Sequence, residues 1–385
     1  MFLGVEFRPN RTTPEIFTPA VAHPCRSCSS RHPSALTYRW TLENLRSRHP
    51  NWMLVYLTSA SGEQSGLAVS ALHKVQQCAR LDRVGTHAVT DDPDAADVIL
   101  FVETDQGIGP FGTRLRRHPL VRGMPEKCFA YNSSDCPFPH LPGLYASIEK
   151  RRYNPKRVRS THYLSTHITI PEPKTKAMDQ RRLLFSFVGT ARNVKVRQDL
   201  VSLSHPRGHC VDTSDKVDTV WSDPIQKAVF VDNYATVLAD TKFALCPRGA
   251  GASSMRLFEA MRVGCVPVIL SDAWVPPSGP NWDDFSIRVA EADFRLVPRL
   301  LEALEPSAEA KSSIARQVWK DWFSDDVTFH RLVEWCLELQ RSRARAAVDP
   351  ESWFTLTEPL WPHNAIRTLR WLKAFGRAKL NARLG

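Results

Sequence analysis

The chain has 385 residues, 43% of them hydrophobic and 24% charged, and a formal net charge of +11. This composition excludes a disordered chain and supplies enough apolar material for two domains of ordinary size, while the basic excess points to nucleotide, nucleic acid or anionic lipid as partner. No apolar run reaches the roughly 18–20 residues that span a bilayer, and the opening MFLGVEFRPNRTTPE lacks the apolar centre of a signal peptide, so a soluble, cytoplasmic protein is expected.

Residues 1–50 are rich in Pro, Arg and Ser and read as an irregular N-terminal segment, with a helix predicted over Ala35–Arg46. Within it, HPCRSCSSRHP carries Cys25 and Cys28 beside His23 and His32, the ligand types of a zinc site. No second CxxC or HxxxH stands at finger spacing, so a loop is expected there and no metal. The nine cysteines, odd in number and scattered, fit reduced buried thiols better than a disulfide framework.

An α/β pattern begins at residue 51. Trp52–Thr58 reads as a strand, Ser59–Gly66 as a loop and Leu67–Leu81 as an amphipathic helix. In DDPDAADVILFVETD the strand Val98–Val102 follows a turn and delivers Glu103 and Asp105 to its C-terminal end; Lys127–Tyr131 is a further strand. These define a first α/β domain over 51–165. The Pro- and Lys/Arg-rich stretch 149–182 suits a linker or the rim of a cleft, with the linker proper at 166–182. A second α/β domain over 183–342 opens with strand Leu183–Val188, continues through helix Tyr234–Ala239 and closes with helices over 293–341. Strands alternating with helices imply mostly parallel sheets covered on both faces. In the basic tail, 343–385, Ile366, Leu369, Leu372 and Phe375 recur every three residues. That helix is expected to pack back on the first domain, Gly376 weakening the alternative of a membrane-surface helix.

The densest chemistry lies in LCPRGAGASSMRLFEAMRVGCVPVILSD, residues 245–272. Lys242–Cys246 is an apolar strand, broken by Pro247, Gly249 and Gly251; Ser253 or Ser254 can cap a helix that runs to Val263 and stops at Gly264; Cys265–Leu270 is the next strand. Such a βαβ unit makes the two strands parallel. Two cations, Arg248 and Arg256, sit where the helix dipole disfavours them. A diphosphate on the free N–H groups of that terminus offsets the conflict, with Glu259 one turn deeper to accept from ribose hydroxyls. The competing reading is a tight turn followed by a solvated Arg256–Glu259 pair. FSFVGTARNVKVRQDL repeats the logic, a strand ending at Gly189 and then Arg192 and Arg197 around the next helix start. Two such termini can converge on one ligand at the C-terminal ends of a parallel sheet.

FxGTAR…VR…L, then YxxxLxxxKFALCPRGxGxSSxRLFEAMxxGCVPVILSD, then NWDDFSIRV, resembles the donor-binding half of the exostosin-type glycosyltransferases, in order and spacing over residues 183–305. TDDPDAADVILFVE and LPGLYASIEKRRYNP resemble the weaker N-terminal half, extending the likeness back to residue 90. The resemblance implies a GT-B architecture, two Rossmann-like domains facing across a cleft, and inverting transfer from a nucleotide sugar, commonly UDP-linked. The positions that match the family pattern are Arg192, Arg248, Gly249, Gly251, Ser253, Arg256 and Glu259. No N-terminal membrane anchor of the kind animal and plant members carry is expected here, which speaks against a Golgi location and against polysaccharide acceptors of the heparan or plant cell-wall type.

An arginine-rich helix terminus can stabilise a leaving diphosphate without an essential metal. The acceptor, a glycan or small-molecule hydroxyl, calls for a general base. Asp105 and Glu103 are candidates, with Asp272 a third that suits a donor-sugar contact better. Each has an alternative as a loop-capping carboxylate. Two other classes are weaker: no nucleic-acid-binding signature accompanies the charge, and the full G-x-G-x-x-G of a dinucleotide oxidoreductase is absent. A protein that binds nucleotide sugar without transferring it stays open.

Overall fold

The computed structural model describes residues 52–344, apart from 62–65, 106, 109–111, 165–173, 193, 217–219 and 221–222. The helix expected at Ala35–Arg46, the Cys25–Cys28 pair and the basic tail lie outside the described residues.

The first half comprises β1 (Met53–Thr58), α1 (Gly66–Leu81), β2 (His87–Val89), β3 (Val98–Glu103), α2 (Thr113–Arg116), α3 (Pro119–Gly123), β4 (Cys128–Asn132), β5 (Gly143–Tyr145) and β6 (Val158–Ser160). Its strands form one parallel sheet in the order β2-β1-β3-β4-β5-β6. β3, VILFVE, is buried along its whole length, as a central strand covered on both faces requires. β6 falls inside the stretch read as linker or cleft rim, so residues 158–160 belong to the sheet instead.

The second half comprises β7 (Leu183–Gly189), α4 (Lys195–Val201), β8 (Gly208–Asp212), α5 (Pro224–Ala239), β9 (Thr241–Pro247), α6 (Met255–Val263), β10 (Val266–Leu270), α7 (Trp282–Phe285), β11 (Ile287–Arg288), α8 (Val297–Leu304), α9 (Ala308–Trp322) and α10 (Asp325–Ala344). This sheet is also parallel, in the order β11-β10-β9-β7-β8. α5 starts at Pro224, well before the expected Tyr234. Asp223 accepts a hydrogen bond from the Ile225 amide at 2.8 Å, and Pro224 occupies the first turn. The Asp-Pro pair was the legible signal. Gly264 ends α6 in the left-handed region, φ 75°, as its position predicts.

Loops that follow strands of one sheet touch loops that follow strands of the other. Cys136 Sγ donates to the Ala250 carbonyl at 3.2 Å, the Ser253 amide to Ser147 Oγ at 3.0 Å, and the Lys150 amide to the Ala273 carbonyl at 2.9 Å. The C-terminal edges of two Rossmann-like sheets therefore face each other, the arrangement expected of GT-B.

Two boundaries differ from the sequence reading. Arg181, placed in the linker, is buried and donates to the carbonyls of Thr241 at 2.7 Å and Val263 at 3.2 Å, so the linker's end is docked on the second sheet. α10, assigned to the second domain, packs on α1 and β5 of the first. Lys74 pairs with Asp325 at 2.6 Å and Arg159 with Glu338 at 3.0 Å. Phe329, Leu332 and Val333 of α10 share a buried core with Val55, Val75 and Leu100. The seven described cysteines are all free thiols. Burial pushes those of Cys78 and Cys246 up to about 12.

Candidate active site

Strand order in the second sheet reverses between β7 and β9, leaving a crevice outside their C-terminal ends. The crevice holds a cavity of about 210 Å³ lined by Gly189, Arg197, Tyr234, Ser254, Arg256 and Glu259, among others. Arg256, in the first turn of α6, donates to the Val188 carbonyl and lies over the Phe187 ring, 4.7 Å from its centroid. Arg197, on α4, donates from Nε to the Arg248 carbonyl at 2.8 Å and from Nη1 to that of Thr190 at 2.9 Å. The two strand ends thus bring together arginines that are far apart in the chain.

The glycines at these ends make room for the arginines. A Cβ on Gly189 would sit 2.5 Å from Arg256 Nη2, and one on Gly249 would sit 3.0 Å from Arg197 Nη2. Gly251, one of the positions that match the family pattern, lies where the two halves meet. A Cβ there would fall 1.9 Å from the Asp135 carbonyl oxygen and 2.3 Å from Ser147 Oγ, so this glycine lets the two halves touch.

Electrostatically the cluster is open. Burial and the neighbouring Arg256 push the Arg197 guanidinium down to about 10. Among the described residues no carboxylate pairs within 4.0 Å with Arg197, Arg248 or Arg256. Nε of Arg248 and Nε of Arg256 are buried without a hydrogen-bond partner. Ser254 occupies the N-cap of α6, but its side chain makes no capping bond, and the Ser253 hydroxyl is buried and unpartnered. The expected serine cap is therefore absent, and the positive end of the helix is left without a side-chain acceptor. Positive charge, unspent donors and an uncapped terminus are the features that suit an anion.

Glu259 does not form the surface pair with Arg256. It is partly buried and accepts from the Tyr234 hydroxyl at 2.7 Å. Burial raises its pKa above the ordinary 4.5, against the opposing pull of Tyr234 and Arg256. Together with Met255 it also lines a wider cavity, about 740 Å³, that reaches Lys74 and Asp325. Arg192 stands apart: it is exposed, donates from Nη2 to the Ser214 carbonyl at 2.8 Å, and does not line the 210 Å³ cavity.

The three carboxylates expected as catalytic are not equivalent. Glu103 is fully buried and accepts from the Ala60 amide, from Ser61 Oγ at 2.5 Å and from Ser59 Oγ at 3.2 Å. It ties the loop after β1 to the end of β3, and both of its oxygens are engaged within the protein. Asp272 is exposed and exchanges hydrogen bonds with Glu291, its backbone N–H donating to Glu291 Oε1 at 3.1 Å and its Oδ1 accepting from the Glu291 amide at 3.2 Å. That is the loop-capping role. Asp105 is partly buried at the C-terminal edge of the first sheet and accepts from Asn132 Nδ2 at 2.8 Å. Sequence reasoning missed Asp135, an exposed carboxylate that accepts from the Tyr163 hydroxyl at 2.9 Å and interacts electrostatically with Arg197. It lies in the turn NSSDCPF, whose composition signals only a loop. Tyr234 was legible as a helix residue, but not as the partner of Glu259.

Residues 145–304 match the model of the Exostosin GT47 domain. Among curated proteins the chain is similar to "Exostosin-1 homolog" of Caenorhabditis elegans, 43% identical over 70 residues that make up 18% of each chain. It is similar to "Exostosin-2" of Bos taurus at 28% identity over 171 residues, 42% of this chain and 23% of that protein. The chain spans between 15% and 23% of the length of the first curated relatives it matches. A structure of Anabaena Alr3699/HepE in complex with UDP-glucose aligns with 76% of this chain and 99% of that one, at 9% identity and a TM-score of 0.39.

Proposed function

We propose that this chain, whose residues 145–304 match the model of the Exostosin GT47 domain, transfers a sugar from a nucleotide-sugar donor to an acceptor hydroxyl. One observation carries the reading. Arg197, Arg248 and Arg256 gather at the β7–β9 crevice with two buried Nε donors unpartnered, beside an uncapped helix N-terminus. A diphosphate supplies what that cluster lacks.

The chemistry follows from the placement. Displacement at the anomeric carbon puts charge on the departing diphosphate, and donors already aimed at that charge lower the barrier without reorganising. The arginines perform this task, so a divalent ion is not essential to the transfer step. Glu259, held by Tyr234, accepts from the ribose hydroxyls, and the donor is a UDP-sugar. In-line attack from the opposite face inverts the anomeric centre. The acceptor is a glycan hydroxyl presented by the first sheet, whose C-terminal edge carries Asp105 and Asp135 as candidate bases.

The test is a thermal-shift panel of nucleotide sugars followed by a turnover assay that reads nucleotide release with glycan acceptors. Stabilisation by a UDP-sugar and acceptor-dependent release of UDP are expected. Binding without release under any acceptor would make the chain a nucleotide-sugar-binding protein, and no binding at all would remove the reading.

A further inference from the structure

A second cluster lies away from this crevice. His87 opens β2 at the edge of the first sheet, while His330 and Glu334 lie one helical turn apart on α10. The i,i+4 spacing places both helix side chains on one face. His87 Nε2 is 3.1 Å from Glu334 Oε1, and one ligand atom from each of the three residues lies within 4.8 Å of the others. The two imidazoles are nearly parallel, at 16°, with centroids 5.2 Å apart.

Hydrogen bonding within the protein leaves this cluster incomplete. Nδ1 of His87 and Nδ1 of His330 are both buried without a partner. The His87 side chain is fully shielded from solvent, whereas Glu334 retains 28% exposure, so an ion can enter from the helix side. Two imidazoles and one carboxylate are a borderline-soft nitrogen and oxygen set that suits zinc and leaves a fourth position for water.

We infer that His87, His330 and Glu334 hold a divalent zinc-type ion that ties α10 to the edge of the first sheet. The ion would join residues 247 positions apart in the chain. None of the three residues lines the 210 Å³ cavity, so the site is structural and separate from transfer.

The test uses the full chain, stripped with a chelator and titrated with zinc chloride or cobalt chloride. One equivalent is expected to bind, with visible cobalt absorption typical of four-coordination and a rise in the thermal midpoint on zinc addition. His330→Asn and Glu334→Gln should each weaken binding about tenfold or more, with circular dichroism reporting an intact fold. The Cys25→Ser/Cys28→Ser double variant should still bind, which separates this site from the N-terminal cysteine pair. If either helix variant unfolds, histidine side-chain NMR of the wild-type protein decides, since zinc should shift two imidazoles. No uptake, wild-type affinity in both folded variants, loss of the ion with the cysteines, or unshifted imidazoles would each overturn the assignment.

Discussion

Tyr234 on α5 donates its hydroxyl to Glu259 Oε2 on α6 at 2.7 Å, and this bond, rather than one with Arg256, fixes the carboxylate at the edge of the 210 Å³ cavity. Burial raises the Glu259 pKa above 4.5. A carboxyl raised in this way binds more protons folded than unfolded, so its ionised form subtracts stability at neutral pH. The deficit vanishes as pH falls through the raised value. Glu259→Gln should therefore keep or raise the thermal midpoint at pH 7 while weakening UDP, because a charge-assisted bond is roughly twice as strong as a neutral one. The 2′,3′-dideoxy analogue should bind both proteins alike. Equal discrimination between the two nucleotides by wild type and variant would remove Glu259 as the ribose ligand. UDP affinity should also fall as pH drops through the Glu259 pKa.

Arg248 and Arg256 separate binding from folding. Arg256 also donates to the Val188 carbonyl and covers Phe187, so Arg256→Ala loses internal contacts together with the ligand. Arg248 has a buried, unpartnered Nε, and Arg197 bonds only its carbonyl. Losing a hydrogen bond to a charged group costs about 1.5–3 kcal/mol. Arg248→Ala should weaken UDP about tenfold or more with a thermal midpoint near wild type, read by calorimetric titration and thermal denaturation. Unchanged affinity in the folded variant would move the diphosphate elsewhere.

Gly251→Ala tests how the two halves meet. Its Cβ would lie 1.9 Å from the Asp135 carbonyl oxygen and 2.3 Å from Ser147 Oγ, so two loops must separate. Overpacking of this kind typically costs about 1–3 kcal/mol. A lower thermal midpoint and a larger loss in turnover than in UDP affinity are expected, because donor groups lie in one half and the acceptor-side carboxylates in the other. An alanine variant with wild-type stability and turnover would contradict the close approach.

The acceptor-side carboxylates can be ranked kinetically. Asp135→Asn and Asp105→Asn keep shape and remove the proton acceptor. General-base catalysis is worth about 10²–10⁴-fold, so the residue acting as base should lose that factor in kcat with UDP affinity preserved. Glu103→Gln should instead lower stability, because an amide N–H₂ would confront donors from Ala60, Ser59 or Ser61. A kcat loss in Glu103→Gln without destabilisation would return Glu103 to the catalytic set.

Chelation should divide transfer from stability. Turnover at moderate temperature should survive EDTA if, as proposed, the arginines stabilise the leaving group. The thermal midpoint should drop as His87, His330 and Glu334 lose their ion. Complete loss of turnover, restored by manganese or magnesium, would overturn the metal-independent chemistry.

The unit from β9 through α6 to β10 was determined by the sequence alone. An apolar run, the glycines that follow it and a left-handed Gly264 are local features, and local sterics decide them within a few residues, although β9 itself extends to Pro247. The same holds for the placement of Arg248 and Arg256 at a helix start. Which group each side chain meets was decided only by tertiary structure. Gly251 meets Asp135, Glu103 closes on Ser59 and Ser61, Tyr234 finds Glu259, and α10 crosses to the first sheet. Periodicity specifies the face a residue takes on its own element. The partner on that face depends on how the sheets and helices pack, and a buried polar group settles wherever that packing brings a donor or acceptor within reach.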